Sequence, residues 1–361
     1  MEPTPKPAAE SPAIVDAEDA RAVVPVADGG AIADGGVDSP SQPTVFVRTP
    51  GNLGAIALDD DWVYWIDTTH GLARTSKRGG GAVSSLQSIG AEPACCGMLA
   101  VDQANVYWAI ASGASASGLR RTSKAPPPLP ADNTADAPVD PASLACLAAD
   151  ADAIYWLRLK HGDDWGRGGS IVRAPKTGGA QKILGQIDTP SFGCIAVDAS
   201  NLYLTAVHEP RNDGALRAVP KTGGREKTIA RLVGPAGSLL LDDEHVYWLD
   251  AGGIVRARKT GGARSIVTDR PKGCTSVAGM ALDDTDVYFS CGGHGPREDG
   301  GTIWRVAKRG GAPELLAEQQ IHPDDIAVDH DFIYWSSLGS RRKAQADGGI
   351  LRLAKPAATP D

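Results

Sequence analysis

Residues 99–108 read LAVDQANVYW, two short apolar runs joined by a polar turn that begins at Asp102. Two apolar runs around a tight polar turn predict a β-hairpin. An aspartate at the first turn position can accept hydrogen bonds from backbone N–H groups two residues further on. We therefore interpret Asp102 as a turn-making residue rather than a metal ligand.

The same phrase recurs seven times and uses every tyrosine of the chain. The tyrosines are Tyr64, Tyr107, Tyr155, Tyr203, Tyr247, Tyr288 and Tyr334. Five residues before each stands an aspartate: Asp59, Asp102, Asp150, Asp198, Asp242, Asp283 and Asp329. A second phrase follows each hairpin, with a glycine, an aliphatic residue, a lysine and often two more glycines, as in residues 169–179. It predicts a third strand, a tight turn and a fourth strand. Four-stranded units at this period predict an all-β, seven-bladed β-propeller.

The ends of the chain indicate how the ring closes. The last repeat stops at residues 351–355 without a fourth strand. Residues 44–48, ahead of the first repeat, have the alternating apolar pattern of a β-strand. We expect this N-terminal strand to complete the last blade. Residues 1–42 are rich in Pro, Ala, Asp and Gly and predict a disordered linker. The propeller is expected over residues 43–356, with a tail at 357–361 and an irregular outer strand in the Pro-rich stretch 125–141.

The repeat resembles the YWTD repeat of lipoprotein-receptor propellers. Residues 99–102, 106–108 and 118–119 carry the resemblance, which spans about residues 44–355. It implies a propeller that binds a ligand on one face. Two features depart from that family: its propellers have six blades where this chain has seven repeats, and only Asp67 and Asp250 keep an acid two residues after the Trp. No site residue is therefore carried over.

Charge and composition narrow the class of protein. The net charge is −8, and residues 1–42 hold eight acids and two bases, so the remaining 319 residues carry −8 minus −6, or −2. A nearly neutral body argues against a nucleic-acid partner. No apolar run reaches the roughly 18 residues of a transmembrane segment. An acidic Pro/Ala spacer before a cysteine-bearing propeller favours a bacterial envelope or secreted protein outside the cytoplasm, with lipid anchoring left open.

Six cysteines support that interpretation, because disulfides are typical of exported proteins. Cys274 and Cys291 flank the hairpin of repeat six, and we expect them to be oxidised. Four more precede aspartate-ending strands: Cys95, Cys96, Cys146 and Cys194. Their connectivity stays open, and buried free thiols are the alternative. No paired CxxC spacing indicates zinc, so the metal content is left unknown.

The candidate site lies in the loops between second and third strands. From the Trp position to the next phrase-opening Gly, these loops hold between 4 and 13 residues, whereas the first turn has constant length. Long loops that converge around a channel mouth are the usual ligand surface of a propeller. The residues singled out, apart from His70 of repeat one, are His161, Asp164, Trp165, Arg167, His208, Glu209, Arg211, His294 and Arg297. Plain solvation of polar loops is the alternative for all of them.

Two functions follow from this pattern. The first is a non-enzymatic propeller, expected to be a monomer without a cofactor, that binds a protein or carbohydrate through its long loops. Trp165 is the anchor candidate, because it is the one tryptophan in a variable loop, whereas Trp62 is expected in a turn. The second is a metal-assisted lyase or hydrolase that uses the rim histidines. The absence of any nucleophile, P-loop or dinucleotide motif favours the first.

Overall fold

The computed structural model describes residues 42–49, 53–67, 70–79, 82–88, 95–111, 118–125, 132–133, 144–159, 168–187, 191–208, 213–234, 236–292, 299–340 and 348–356. They form seven four-stranded antiparallel sheets, as the sequence predicts. Within the described residues, no helix is long and apolar enough to cross a membrane.

The strands follow the repeats in order. Blade one holds β2 (Leu53–Leu58), β3 (Trp62–Asp67), β4 (Gly71–Ser76) and β5 (Ser84–Gln87); blade two holds β6 (Cys95–Val101), β7 (Asn105–Ala111), β8 (Gly118–Ser123) and β9 (Asp132–Asn133). Blade three holds β10 (Leu144–Ala149), β11 (Ala153–Leu159), β12 (Gly169–Pro175) and β13 (Lys182–Ile187); blade four holds β14 (Ser191–Val197), β15 (Asn201–His208), β16 (Asp213–Pro220) and β17 (Lys227–Val233). Blade five holds β18 (Gly237–Leu241), β19 (His245–Asp250), β20 (Gly253–Arg258) and β21 (Ser265–Asp269); blade six holds β22 (Ser276–Leu282), β23 (Asp286–Gly292), β24 (Gly301–Ala307) and β25 (Glu314–Gln320). Blade seven holds β26 (Pro323–Val328), β27 (Phe332–Ser337), β28 (Gly349–Ala354) and β1 (Thr44–Arg48).

The N-terminal strand closes the ring, which confirms the prediction from the chain ends. β1 pairs with β28, from Thr44 opposite Arg352 to Arg48 opposite Gly349. The Arg352 guanidinium lies between the rings of Phe46 and Phe332, 4.8 and 4.7 Å from their centroids. The seven first strands neighbour one another in an unbroken cycle around the axis. The last blade is thus built from both ends of the propeller segment.

The repeat residues fill the space between blades. Each tyrosine packs against the residue at the Trp position of the next blade, for example Tyr107 against Trp156 and Tyr334 against Trp65. Two joints have Leu204 or Phe289 at that position. One apolar cluster therefore lies between each pair of neighbouring blades. In the second strand of a blade, the tyrosine and the adjacent residue at the Trp position point to opposite faces of the sheet, so each blade contributes to the clusters on both of its sides.

The outer strand of blade two and the cysteines were both singled out from the sequence. In the outer strand of blade two the described residues are β9, Asp132 and Asn133, and the rest of the Pro-rich stretch after residue 125 lies outside the described part of the chain. Cys274 and Cys291 form a disulfide with their Cα atoms 5.3 Å apart. Cys146 and Cys194 form a second one between blades three and four, with Cα atoms 5.2 Å apart. The side chains of Cys95 and Cys96 lie outside the described part of the chain.

Candidate functional site

The propeller has two ends, which we call the turn face and the loop face. The turn face carries the turns between first and second strands and between third and fourth strands. The loop face carries the connections between second and third strands and the links between blades. The repeat aspartates lie on the turn face, whereas the second strands that precede the residues singled out from sequence end at the loop face.

On the turn face every repeat aspartate organises its own turn. Asp102 shows the pattern: its Oδ1 accepts the N–H groups of Ala104 and Asn105, and its Oδ2 accepts the Tyr107 hydroxyl at 3.0 Å. All seven aspartates accept the same two backbone N–H groups, and six of them also accept their tyrosine. In blade seven the Tyr334 hydroxyl is buried without a partner. The turn-making interpretation is therefore confirmed.

A lysine from the following blade reaches each aspartate. The pairs are Lys124–Asp59, Lys176–Asp102, Lys221–Asp150, Lys259–Asp198, Lys308–Asp242, Lys355–Asp283 and Lys77–Asp329. Each lysine directly follows the third strand of its blade, so the pairs run around the whole turn face. Both residue types recur at fixed positions in the sequence, but their contact across blades is visible only in the structure.

These contacts set the pKa values of the carboxyls. Burial by itself would raise the pKa of Asp283, but hydrogen bonds from Lys355, from two backbone N–H groups and from Tyr288 outweigh it and lower the pKa to about 2. The pKa of Asp242 is likewise lowered to about 2. Burial and the Asp198 carboxylate raise the pKa of Tyr203 to about 12. The turn-face aspartates are therefore ionised and the tyrosines neutral at physiological pH, which suits interblade attachment.

The loop face is uneven in height. In blade four the second and third strands pair up to His208 opposite Asp213, five rows beyond Tyr203. In blade three they pair up to Leu159 opposite Gly169, four rows beyond its tyrosine. In blades one, five and seven the pairing ends three rows beyond the tyrosine. At about 3.4 Å per residue, blade four stands roughly 7 Å above those blades.

Most of the predicted site residues lie outside the described residues. They are His161, Asp164, Trp165, Arg167, Glu209, Arg211, His294 and Arg297. His208 is described by its backbone alone, in the last paired row of β15. The loops that carry the others follow the second strands of blades three, four and six. Their convergence on a common site remains a prediction.

The loop face of blade one holds a histidine oriented by a buried carboxylate. Asp67 is fully buried, and its Oδ2 accepts both the Trp65 indole N–H at 2.6 Å and His70 Nδ1 at 2.9 Å. The His70 backbone N–H also donates to Asp67 Oδ1. A carboxylate at Nδ1 leaves Nε2 as the ring atom available to a ligand. The acid two residues after the tryptophan was the sequence signal for this arrangement.

Clefts also open between blades on the turn face. One of about 540 Å³ lies between blades one and two and is lined by Trp62, Arg74, Lys124 and neighbouring turn aspartates. The expectation that Trp62 lies in a turn is wrong: it begins β3, where pairing with Ser76 places it in the sheet. The Arg74 guanidinium stacks 4.2 Å from its ring centroid. Within the described residues, no three His, Cys, Asp or Glu side chains are grouped to hold a metal.

Comparison with known proteins supports the fold and goes no further. No family model matches the sequence, and no curated protein matches it. Among solved structures, an oligogalacturonate lyase from Vibrio parahaemolyticus has a TM-score of 0.62 at 11% identity, over 88% of this chain and 91% of that one. An oligogalacturonate lyase in complex with manganese has a TM-score of 0.62 at 13% identity, over 88% and 94%.

A longer enzyme shares the same architecture. A puromycin-hydrolysing peptidase of Mycobacterium tuberculosis has a TM-score of 0.61 at 14% identity over 87% of this chain. The chain spans about half the length of that peptidase, since 54% of the peptidase is covered. These TM-scores establish a shared propeller architecture. At identities this low they do not establish a shared function, because unrelated functions occur on one fold. The YWTD resemblance therefore stays a prediction.

Proposed function

We propose that this protein is a non-enzymatic binding propeller that recognises a protein or glycan on its loop face, outside the cytoplasm. The observation that carries the proposal is the division between the two faces. The repeat side chains of the turn face are engaged in attaching each blade to the next. The loop face has hairpins of unequal height, and loops of variable length and polar composition follow them.

The residues of the loop face suit a polar partner with some apolar surface. Trp165 offers a large planar side chain, and Arg167 and Asp164 beside it in sequence offer charges of both signs. Aromatic and arginine residues dominate binding energy at protein interfaces, and aromatic rings stack on sugars. His70, held by Asp67, adds an oriented hydrogen-bonding group at the same end of the propeller. A rigid ring can present such loops without altering its core.

The compartment is proposed from the two disulfides. Disulfides persist in the periplasm, at cell surfaces and in secreted proteins, and are rare in a reducing cytosol. The pairs Cys146–Cys194 and Cys274–Cys291 both have Cα separations within the usual range for a disulfide. Bacterial origin and lipid anchoring belong to the same proposal and rest on the N-terminal composition alone.

The test compares variants on the two faces of the full-length, oxidised protein. Wild type, Trp165→Ala and Arg78→Ala are each applied to arrayed neutral and acidic oligosaccharides and to envelope extract, and every hit is then titrated. Arg78 is the matched control because it is exposed on the turn face, with 87% of its side chain accessible. We expect Trp165→Ala to weaken binding at least fivefold, about 1 kcal/mol, and Arg78→Ala to leave it unchanged.

Folding controls separate a binding defect from a packing defect. Trp156 is fully buried between blades, so Trp156→Ala should cost about 3 to 5 kcal/mol of unfolding free energy, whereas Trp165→Ala should cost almost none. Equal destabilisation by the two variants, or a ligand lost only in the turn-face variant, contradicts the proposal. Stoichiometric bound metal together with turnover of an oligosaccharide would instead support the metal-assisted lyase.

A further inference from the structure

One of the two disulfides joins two blades, and it lies next to the axis of the propeller. Cys146 in β10 and Cys194 in β14 are bonded to each other, and both strands belong to the ring of first strands around the axis. Each cysteine stands four positions before its repeat aspartate. The other five blades have Ala55, Met98, Ser238, Gly279 and Asp325 at that position. The six other joints of the ring therefore form without a disulfide at this position.

Both cysteines lie in β-bulges. The pairing of β10 with β11 shifts between Ala145 and Leu147, and that of β14 with β15 shifts between Phe192 and Ile195. Cys146 takes the left-handed backbone conformation in its bulge, with a φ of 51°. Ser238, the equivalent residue of blade five, has a φ of 32° without a disulfide. This bulge therefore forms in a blade that has no S–S bond to hold it, so breaking the bond does not require the blade to refold.

The two disulfides differ in their exposure to solvent. Cys274 is 7% exposed and Cys291 is 1% exposed, and both belong to the apolar cluster between blades five and six. Cys146 and Cys194 are each partly exposed. Because the first strand is the edge of each sheet nearest the axis, a reductant reaches them from the axial side of the ring. Thiol–disulfide exchange requires a thiolate to contact a disulfide sulfur, so access decides which of the two bonds reacts in the folded protein.

We propose that Cys146–Cys194 is a reducible clasp between blades three and four, which a dithiol opens in the folded protein, and that Cys274–Cys291 is a permanent structural bond. A thiolate of the dithiol attacks one of the two clasp sulfurs, the S–S bond breaks and a mixed disulfide forms. The second thiol of the reductant then displaces the attached cysteine. In sum the dithiol gives up two electrons and two protons and becomes a disulfide, and Cys146 and Cys194 become two thiols.

Opening the clasp loosens one joint and leaves the ring closed. Tyr155 and Leu204 belong to the apolar cluster between blades three and four, and Lys221 pairs with Asp150 across the same joint on the turn face. These contacts do not involve sulfur, so the two blades stay associated while their first strands become freer to separate. β11 and β15 of these blades precede two loops of the proposed binding surface. An effect of reduction on those loops rests on the proposed function, whereas the clasp itself does not.

The experiment follows reduction of the full-length, oxidised protein without denaturant. Dithiothreitol is added at mildly alkaline pH, samples are quenched with an alkylating reagent at intervals, and peptide mapping assigns each alkylated cysteine. We expect Cys146 and Cys194 to become alkylated together, roughly tenfold or more faster than Cys274 and Cys291, while the far-UV circular dichroism stays unchanged. Equal rates for the two disulfides, faster reduction of Cys274–Cys291, or reduction of the clasp only when the folded signal is lost overturns the proposal.

A second measurement compares amide exchange of wild type before and after reduction. Residues 147–149 of β10 and 195–197 of β14 report on the clasped joint, and residues 326–328 of β26, at the equivalent positions of blade seven, are the matched control. We expect exchange in β10 and β14 to become several-fold faster on reduction and to return on reoxidation, with β26 unchanged. Cys146→Ser with Cys194→Ser, which copies Ser238 of blade five, should exchange like reduced wild type. Unchanged exchange in β10 and β14, or equal acceleration in β26, overturns the clasp.

Discussion

Lys77 Nζ of the first blade lies 2.9 Å from Asp329 Oδ2 of the last blade. This ion pair repeats, at the closing joint, the contact that the chain makes at each of its six other joints. Arg352 of blade seven also donates to the Lys77 carbonyl oxygen at 3.3 Å. The ends of the ring are therefore joined by the same side-chain contacts as its interior blades, in addition to the β1–β28 pairing.

The turn-face ion pairs predict lability in acid. A carboxyl whose pKa is lower in the folded than in the unfolded state stabilises the folded state at pH values above its unfolded-state pKa. This stabilisation is lost as the pH falls through its folded-state pKa. For Asp283 the folded pKa is about 2, so Asp283→Asn should lower the unfolding free energy by about 2 kcal/mol at pH 7. The difference from wild type should vanish near pH 2. Denaturant unfolding at several pH values measures it.

Asp331→Asn is the control for that experiment, because Asp331 is an exposed turn-face carboxyl with 71% of its side chain accessible. It should change stability little at any pH. If Asp283→Asn and Asp331→Asn have the same pH profile, the ion pairs between blades do not stabilise the ring.

Two tyrosines that look identical in sequence should respond differently to loss of the hydroxyl. The Tyr107 hydroxyl donates to Asp102 at 3.0 Å, whereas the Tyr334 hydroxyl is buried without a partner. Tyr107→Phe should cost about 1.5 kcal/mol, because a hydrogen bond to a carboxylate is lost. Tyr334→Phe should be neutral or stabilising, because it removes an unsatisfied polar atom. Urea unfolding of both variants measures the contrast, and equal losses would disprove it.

Ring closure predicts where truncation becomes harmful. A chain that starts at residue 43 keeps β1 and should melt within a few degrees of the full chain. A chain that starts at residue 49 lacks β1 and the Phe46 ring against Arg352, so its melting temperature should drop sharply. Phe46→Ala in the full chain should cost about 3 kcal/mol by itself. Identical melting temperatures for the two truncations would show that β1 is dispensable.

The disulfide between blades three and four predicts a measurable stabilisation. Joining residues 48 positions apart restricts the unfolded chain, so Cys146→Ala with Cys194→Ala should lower the unfolding free energy by about 3 kcal/mol. Peptide mapping of unreduced protein should recover the Cys146–Cys194 and Cys274–Cys291 links. Six alkylatable thiols in freshly purified, unreduced protein would contradict both links and the proposed compartment.

The sequence by itself determined the number of blades, the strands within each and the closing strand. The reason is that Asp102 and Tyr107, like their six counterparts, interact with residues close in sequence. The aspartate accepts backbone N–H groups two and three residues further on, and the tyrosine lies in a strand whose side chains alternate between its two faces. Such local chemistry is readable from spacing.

The tertiary structure decided which residues of different blades meet. Lys124 reaches Asp59 from 65 positions away, Cys146 pairs with Cys194 rather than with an earlier cysteine, and Asp325 accepts the Ile56 N–H across 269 positions. These contacts depend on the angle and height at which neighbouring blades pack. Spacing along the chain does not contain that information, because equivalent residues in sequence, such as Tyr107 and Tyr334, end in different surroundings.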